Sequence, residues 1–137
     1  MGSLLFSLAA LFALSALSSA KMQNVTVRGA VVCHNKLMPN VEVQLIEHDI
    51  VDPDDVLMEV KTNGKGEFKL TGGEDEFGSI EPYVLFIHDC DLTEEQKKES
   101  CKRHAHFDVP KKFINGPVYD MTYVPLNIHF LNEKIKC

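Results

Sequence analysis

The stretch from Pro82 to Cys90, Pro-Tyr-Val-Leu-Phe-Ile-His-Asp-Cys, constrains the fold most, because apolar residues occupy successive positions. Neighbouring side chains of a strand point to opposite faces, so a run without alternation needs cover on both, as in the middle of a packed sheet. Cys101 to Pro110 alternates instead, with Arg103, Ala105, Phe107 and Val109 against Lys102, His104, His106 and Asp108. Between the two, Thr93 with Gln96 three residues on, then Lys97 and Lys98, is the grammar of a short capped helix over Thr93 to Ser100. The centre of the molecule is therefore strand, short helix, strand, with a cysteine at each junction.

Residues 1–20 carry no charged side chain and hold an apolar run, Leu4 to Leu17, too short to span a bilayer comfortably. Ser18 and Ala20 supply the small residues that a signal peptidase reads, so we expect a signal peptide over 1–20 and one secreted domain over 21–137 without a transmembrane segment. All four cysteines fall in that domain, an even number that fits two disulfides in an oxidising compartment. The absence of a Cys-x-x-Cys pair excludes a zinc knuckle and a thioredoxin motif. A formal net charge of −6, none of it in the leader, argues against nucleic acid or an anionic membrane as a partner through the overall field.

Asn24-Val25-Thr26 is a sequon that makes Asn24 a candidate glycosylation site. Val25, Val27, Gly29, Val31 and Cys33 alternate with polar or small residues as a half-buried first strand does. After a turn around Pro39, a second strand runs from Val41 to Ile46. An acidic loop, Asp49 to Asp55, leads to a third over Leu57 to Thr62, and Asn63-Gly64-Lys65-Gly66 then reads as a tight hairpin into a fourth over Glu67 to Thr71. A second acidic loop, Gly72 to Glu81, precedes the central strand. Val118 to Phe130 reads as a long last strand with a bulge at Pro125, which lacks the N–H a ladder needs. Seven or eight short strands and one helix predict an all-β antiparallel sandwich whose core includes Val27, Val31, Val43, Leu45, Phe68, Leu70, Phe86 and Phe107.

No catalytic set emerges. His104 and His106 share one side of their strand, whereas His88 belongs with the core-facing set of its own, which argues against a zinc site built from the three. Asp49, Asp52, Asp54 and Asp55 lack the glycine and terminal glutamate of an EF-hand and read as a solvated loop. His88-Asp89 has no nucleophile beside it once the cysteines are bridged. Lys97, Lys98, Lys102 and Arg103 interleave with Glu94, Glu95 and Glu99 as a solvated charged surface. No metal or other cofactor is expected.

The phrases Gly29-x-x-x-Cys33, Pro39-Asn40-Val41-x-Val43-x-Leu45, Thr62-x-Gly64-x-Gly66-Glu67-Phe68, Pro82-Tyr83, His88-Asp89-Cys90 and Val109-Pro110 resemble the secreted transthyretin-like family of nematodes. The resemblance spans nearly all of 25–137 and implies a transthyretin-type (prealbumin-type) sandwich, an extracellular address, and an activity that is undefined for most members. The hydroxyisourate hydrolase of this fold carries a C-terminal Tyr-Arg-Gly-Ser signature, but this chain ends Glu133-Lys134-Ile135-Lys136-Cys137. Transthyretin carries hormone in a channel between dimers built partly from its last strand. This chain ends too soon for a full eighth strand, so a monomer or dimer is expected rather than that tetramer.

If the strands alternate up and down, all four cysteines gather at one pole. The loops at the other bring together Asp49, Asp52, Asp54, Asp55, Glu74, Asp75, Glu76, Lys111 and Lys112 as a candidate recognition surface. Four cysteines allow three pairings, among which sequence alone does not choose. Adjacency of the fifth and sixth strands favours Cys90–Cys101. Cys33–Cys137 then remains, and the two meet if the first and last strands run side by side in parallel, as the resemblance implies. The functional expectation is a secreted, non-enzymatic binding or signalling protein. Its partner is expected to be an extracellular protein, a cell surface or lipid headgroup, or a small hydrophobic ligand.

Overall fold

The computed structural model describes residues 21–130 and 132–137, and the leader expected over 1–20 lies outside them. The strands are β1 (Lys21–Cys33), β2 (Lys36–Leu37), β3 (Glu42–Glu47), β4 (Asp55–Lys61), β5 (Glu67–Glu76), β6 (Pro82–His88), β7 (Lys102–Asp108), β8 (Tyr119–Pro125) and β9 (Lys134–Lys136). One sheet is built on β1, which pairs with β2 and β5 antiparallel and with β8 in parallel. The other takes the order β4-β3-β6-β7-β9, antiparallel throughout. The result is an all-β sandwich of transthyretin-like type.

The inward faces follow the sequence alternation. Val27, Val31, Val43, Leu45, Leu70, Val84, Phe86 and Ala105 are fully enclosed, Phe68 is buried, and Phe107 packs half-buried against them. Phe86 meets Phe68 and Phe107 edge-on at 5.3 and 5.5 Å between centroids. The only α-helix among the described residues, α1 (Glu94–Lys98), starts at Thr93 with a complete capping box, as expected.

Several expectations are corrected. The turn at Asn63–Gly66 is not a hairpin within one sheet, because it carries the chain from β4 in one sheet to β5 in the other. Asn63 Oδ1 accepts from the amides of Lys65 and Glu67, and Gly66, at φ +71°, sits where a Cβ would lie 2.7 Å from the Val31 carbonyl. Gly72 to Glu76 is strand rather than loop: it completes β5 opposite Lys21 to Val25. Pro125 ends β8 instead of bulging it. The register shift against β1 falls three to four residues earlier, where Thr122 adopts φ +58°.

The disulfide pairing is also corrected. Cys33 bonds Cys90 across the two sheets, and Cys101 bonds Cys137. All four cysteines do gather at one pole, and β1 and β8 do run in parallel. However, the chain leaves β8 at Pro125, crosses to the other sheet and returns as β9 beside β7, with Lys136 opposite Lys102. That register sets Cys137 against Cys101 and leaves Cys90, on the inward face, to reach across to Cys33.

Arg103 anchors this crossing. Expected on a solvated surface, it is only 1% exposed. Its guanidinium donates to the Cys90 carbonyl at 2.6 Å, to the Ile128 carbonyl at 3.2 Å and to both carboxylate oxygens of Glu133. The carboxyl of Glu133, itself enclosed, is held below the usual range by this arginine and the Phe130 amide against the opposing effect of burial. Removing one member of a buried pair strands the other charge. We therefore expect Glu133→Ala to lower stability by about 3–5 kcal/mol, and Arg103→Met with Glu133→Leu to lose less than that single change, as read by urea unfolding of the oxidised protein.

Candidate functional site

At the pole opposite the disulfides, the inward faces of two strands run past the apolar core into carboxylates. In β3 the series Val43 and Leu45 continues to Glu47, and in β5 Phe68 and Leu70 continue through Gly72 to Glu74 and Glu76. Glu47 is 1% exposed. Its Oε1 accepts from the Glu81 amide at 3.4 Å, while its Oε2 has no partner, and neither has Oε2 of Glu74. Asp49 and Asp55, where the chain leaves β3 and enters β4, close the group from the other side. Glu47, Asp49 and Asp55 bring oxygens within 4.8 Å of one another, and so do Glu47, Glu74 and Glu76. Burial, then the neighbouring Asp55, raises the Glu74 carboxyl to about 7, and burial raises Glu47 as well.

Gln23, on the inward series of β1, fixes the turn that follows β5. Its side chain donates to the Gly78 carbonyl at 2.6 Å and accepts from the Ile80 amide at 3.0 Å. His48 is tied to the same turn, its amide donating to the Glu81 carbonyl. Both acidic connections thus stand side by side over the carboxylate pocket. Their tips are apolar: Ile50, Val51 and Phe77 are 86%, 90% and 75% exposed.

Beside the pocket opens a cleft of about 500 Å³ lined by His48, Ile80, Tyr83, His106, Asp108 and Lys111, among others. The Tyr83 hydroxyl donates to Asp54 at 2.6 Å, Asp54 also meets His48 Nδ1 at 3.1 Å, and the Tyr83 ring stacks on His106 at 4.0 Å. Burial and the Asp54 carboxylate push the phenol above its ordinary pKa, the reverse of what a nucleophile or base requires. The cleft is suited to hydrogen-bonded recognition.

The nine residues expected at this pole are therefore divided. Asp49, Asp55, Glu74 and Glu76 converge on the pocket, Asp54 and Lys111 serve the cleft, and Asp52 and Asp75 point to solvent. Lys112 lies 5.2 Å over the Phe113 ring instead. Glu47 was missed, although the period-2 series of its strand placed it inward. The histidines divide as expected: His88 is buried in the core with Nδ1 accepting from the Cys90 amide, and His104 and His106 stand on the outer face. Asn24 is exposed on β1, and its side chain occupies the space that a Cβ on Gly73 would need.

Burial, then the charge of Arg103, lowers the His88 imidazole to about 4. Its folded value lies below the ordinary 6.5, so its contribution to stability is complete above 6.5 and is lost as pH falls towards 4. Glu74 runs the other way. Its folded value exceeds the ordinary one, so its contribution is complete below about 4.5 and is lost as pH rises through about 7. We expect Glu74→Gln to raise the melting temperature relative to the parent at pH 8 but not at pH 4.5, and His88→Gln to narrow its deficit as pH falls from 6.5 to 4.5. Paired thermal melts in a chelating buffer check both.

Comparison with known proteins places these features in a family. The TTR-52 transthyretin-like family model matches residues 28–110. Transthyretin-like protein 16 of Caenorhabditis elegans is 48% identical over 119 residues, covering 87% of this chain and 86% of that one. Transthyretin-like proteins 33 and 5 of the same organism are 33% and 32% identical over 132 and 121 residues. They cover 94% and 84% of this chain, and 88% and 84% of their own lengths. Among solved structures, a 9R-lipoxygenase from Cyanothece PCC8801 superposes with a TM-score of 0.48 at 15% identity over 76% of this chain and 16% of that chain, too loose a likeness to bear on fold or chemistry. The family match and these relatives establish that the chain belongs to the transthyretin-like family.

Proposed function

We propose that this is a secreted, non-enzymatic recognition protein that contacts cell surfaces through the acidic, apolar-tipped pole. The observation that carries the reading is the exposure of Ile50, Val51 and Phe77 on two neighbouring connections. Three solvated apolar side chains at one end of a sandwich are matched to the interfacial zone of a membrane, where their transfer is favourable. Two disulfides suit an extracellular address. A carrier role for a small hydrophobic ligand finds less support, since the space between the sheets is filled by side chains with no exposure.

Sedimentation with vesicles tests this. The purified oxidised protein is expected to pellet with vesicles of phosphatidylcholine, whose headgroup carries no net charge to repel the acidic pole. Ile50→Ser, Val51→Ser and Phe77→Ser combined are expected to weaken pelleting at least tenfold, since each apolar side chain buried contributes about 1.5–3 kcal/mol at most. The triple variant keeps its melting temperature because none of the three is buried. Equal pelleting of variant and parent, or none of either, overturns the reading.

A further inference from the structure

We propose that Glu47, Asp49, Asp55, Glu74 and Glu76 form a calcium site beneath the two connections. Five carboxylates from three parts of the chain stand there in two groups of three that share Glu47, and among the described residues none of them pairs with a lysine, arginine or histidine. Acidic groups on a surface gather without a ligand often enough, but Glu47 is not on the surface. It is 1% exposed, its Oε2 makes no hydrogen bond, and it is the residue that both groups of oxygens share. A buried carboxylate without a partner is costly unless a proton or a cation neutralises it. Oε2 of Glu74 has the same need.

The donor set selects the cation. All five ligands are carboxylate oxygens, with no imidazole or thiolate, which favours a hard divalent ion over zinc or copper. Calcium holds oxygens at about 2.3–2.6 Å, so ligands on one ion lie within roughly 5 Å of each other. Within each group of three, the separations of up to 4.8 Å fit that span. Magnesium requires a tighter octahedron at about 2.0–2.1 Å, whereas Asp49, on the connection after β3, and Asp55, at the first position of β4, suit the looser, more numerous coordination of calcium. The acidic run that by itself reads as a solvated loop provides only two of the ligands. Asp52 points to solvent and Asp54 is engaged by Tyr83 and His48. The site lies under the proposed contact surface, but its test needs no lipid, so the two readings stand or fall separately.

Calorimetric titration of the purified oxidised protein with calcium chloride is expected to show saturable binding at about 10⁻⁴–10⁻³ M, the range of extracellular modules, with a higher melting temperature in calcium than in EDTA. Glu47→Gln is expected to abolish both responses while melting no lower than the parent in EDTA, because it removes a buried unpaired charge. Asp49→Asn, on the connection and outside the core, keeps the test valid should Glu47→Gln fold poorly. It is expected to weaken binding about tenfold. The proposal is overturned by any of three results: no uptake at roughly 10 mM calcium, an order above the weakest expected affinity; equal uptake by the parent and both variants; or magnesium bound as tightly as calcium.

Discussion

The pairing of Arg103 with Glu133 is the interaction on which the arrangement of the chain depends. An arginine on the inward face of β7 stays charged at any accessible pH, so the fold has to bring it an anion and enough acceptors to occupy its donors. Within its own strand neighbourhood only the Cys90 carbonyl is at hand. The rest comes from 128–133, which explains why the chain crosses from β8 to the other sheet instead of extending β8 towards Phe130. Once Glu133 is seated, the residues after it lie beside β7 and form β9, and Cys137 arrives at Cys101. A charge buried at one position thus determines a strand pairing and a disulfide.

The opposite pole shows the complementary condition. There the inward faces of β3 and β5 also end in charged groups, but of one sign. Arg103 and Glu133 satisfy each other, while Glu47 and Glu74 leave oxygens unpartnered and lower their own acidity. The backbone that carries each carboxylate is fixed by ladders, β3 between β4 and β6 for Glu47 and β5 against β1 for Glu74. The like charges are held together by backbone hydrogen bonds and by the core beneath them. Such an arrangement persists when the structure around it is overdetermined, and it is found where a site needs a cation or a proton.

Much of this was legible in the sequence because alternation reports directly on burial. The positions of β1, β3, β4, β6 and β7, the capped helix, the core list, the two poles and the opposed faces of His88 and His104 all follow from period 2 and from Thr93 and Gln96. Two misreadings share one cause, which is that polar residues were assigned to the surface by type. Arg103 stood in the inward series of its strand beside Ala105 and Phe107, and Glu47 stood two residues after Leu45. In both cases the period was right and the chemistry was allowed to outvote it. Gly72 and Gly73 likewise suggested a loop, whereas they are strand positions whose missing side chains make room for Leu57 and Asn24. The route of the last strand had no local signal, since it is decided by a contact thirty residues apart in the chain.

The two disulfides illustrate why loop length alone does not rank a crosslink. The bridges close separations of 57 and 36 residues. Chain-entropy estimates give about 4 kcal/mol for each, differing by only ~0.4 kcal/mol, less than the variation caused by residual structure in the unfolded chain. Their structural consequences differ far more. Cys33–Cys90 joins the central strand of one sheet to the end of β6 in the other, through the core itself. Cys101–Cys137 fastens a three-residue edge strand whose approach Arg103 and Glu133 have already fixed. Opening the first removes a covalent constraint between the layers at this pole, while opening the second leaves an ion pair and three backbone partners still holding the same segment. The inter-sheet bridge therefore supports the sandwich, and the terminal one seals an edge.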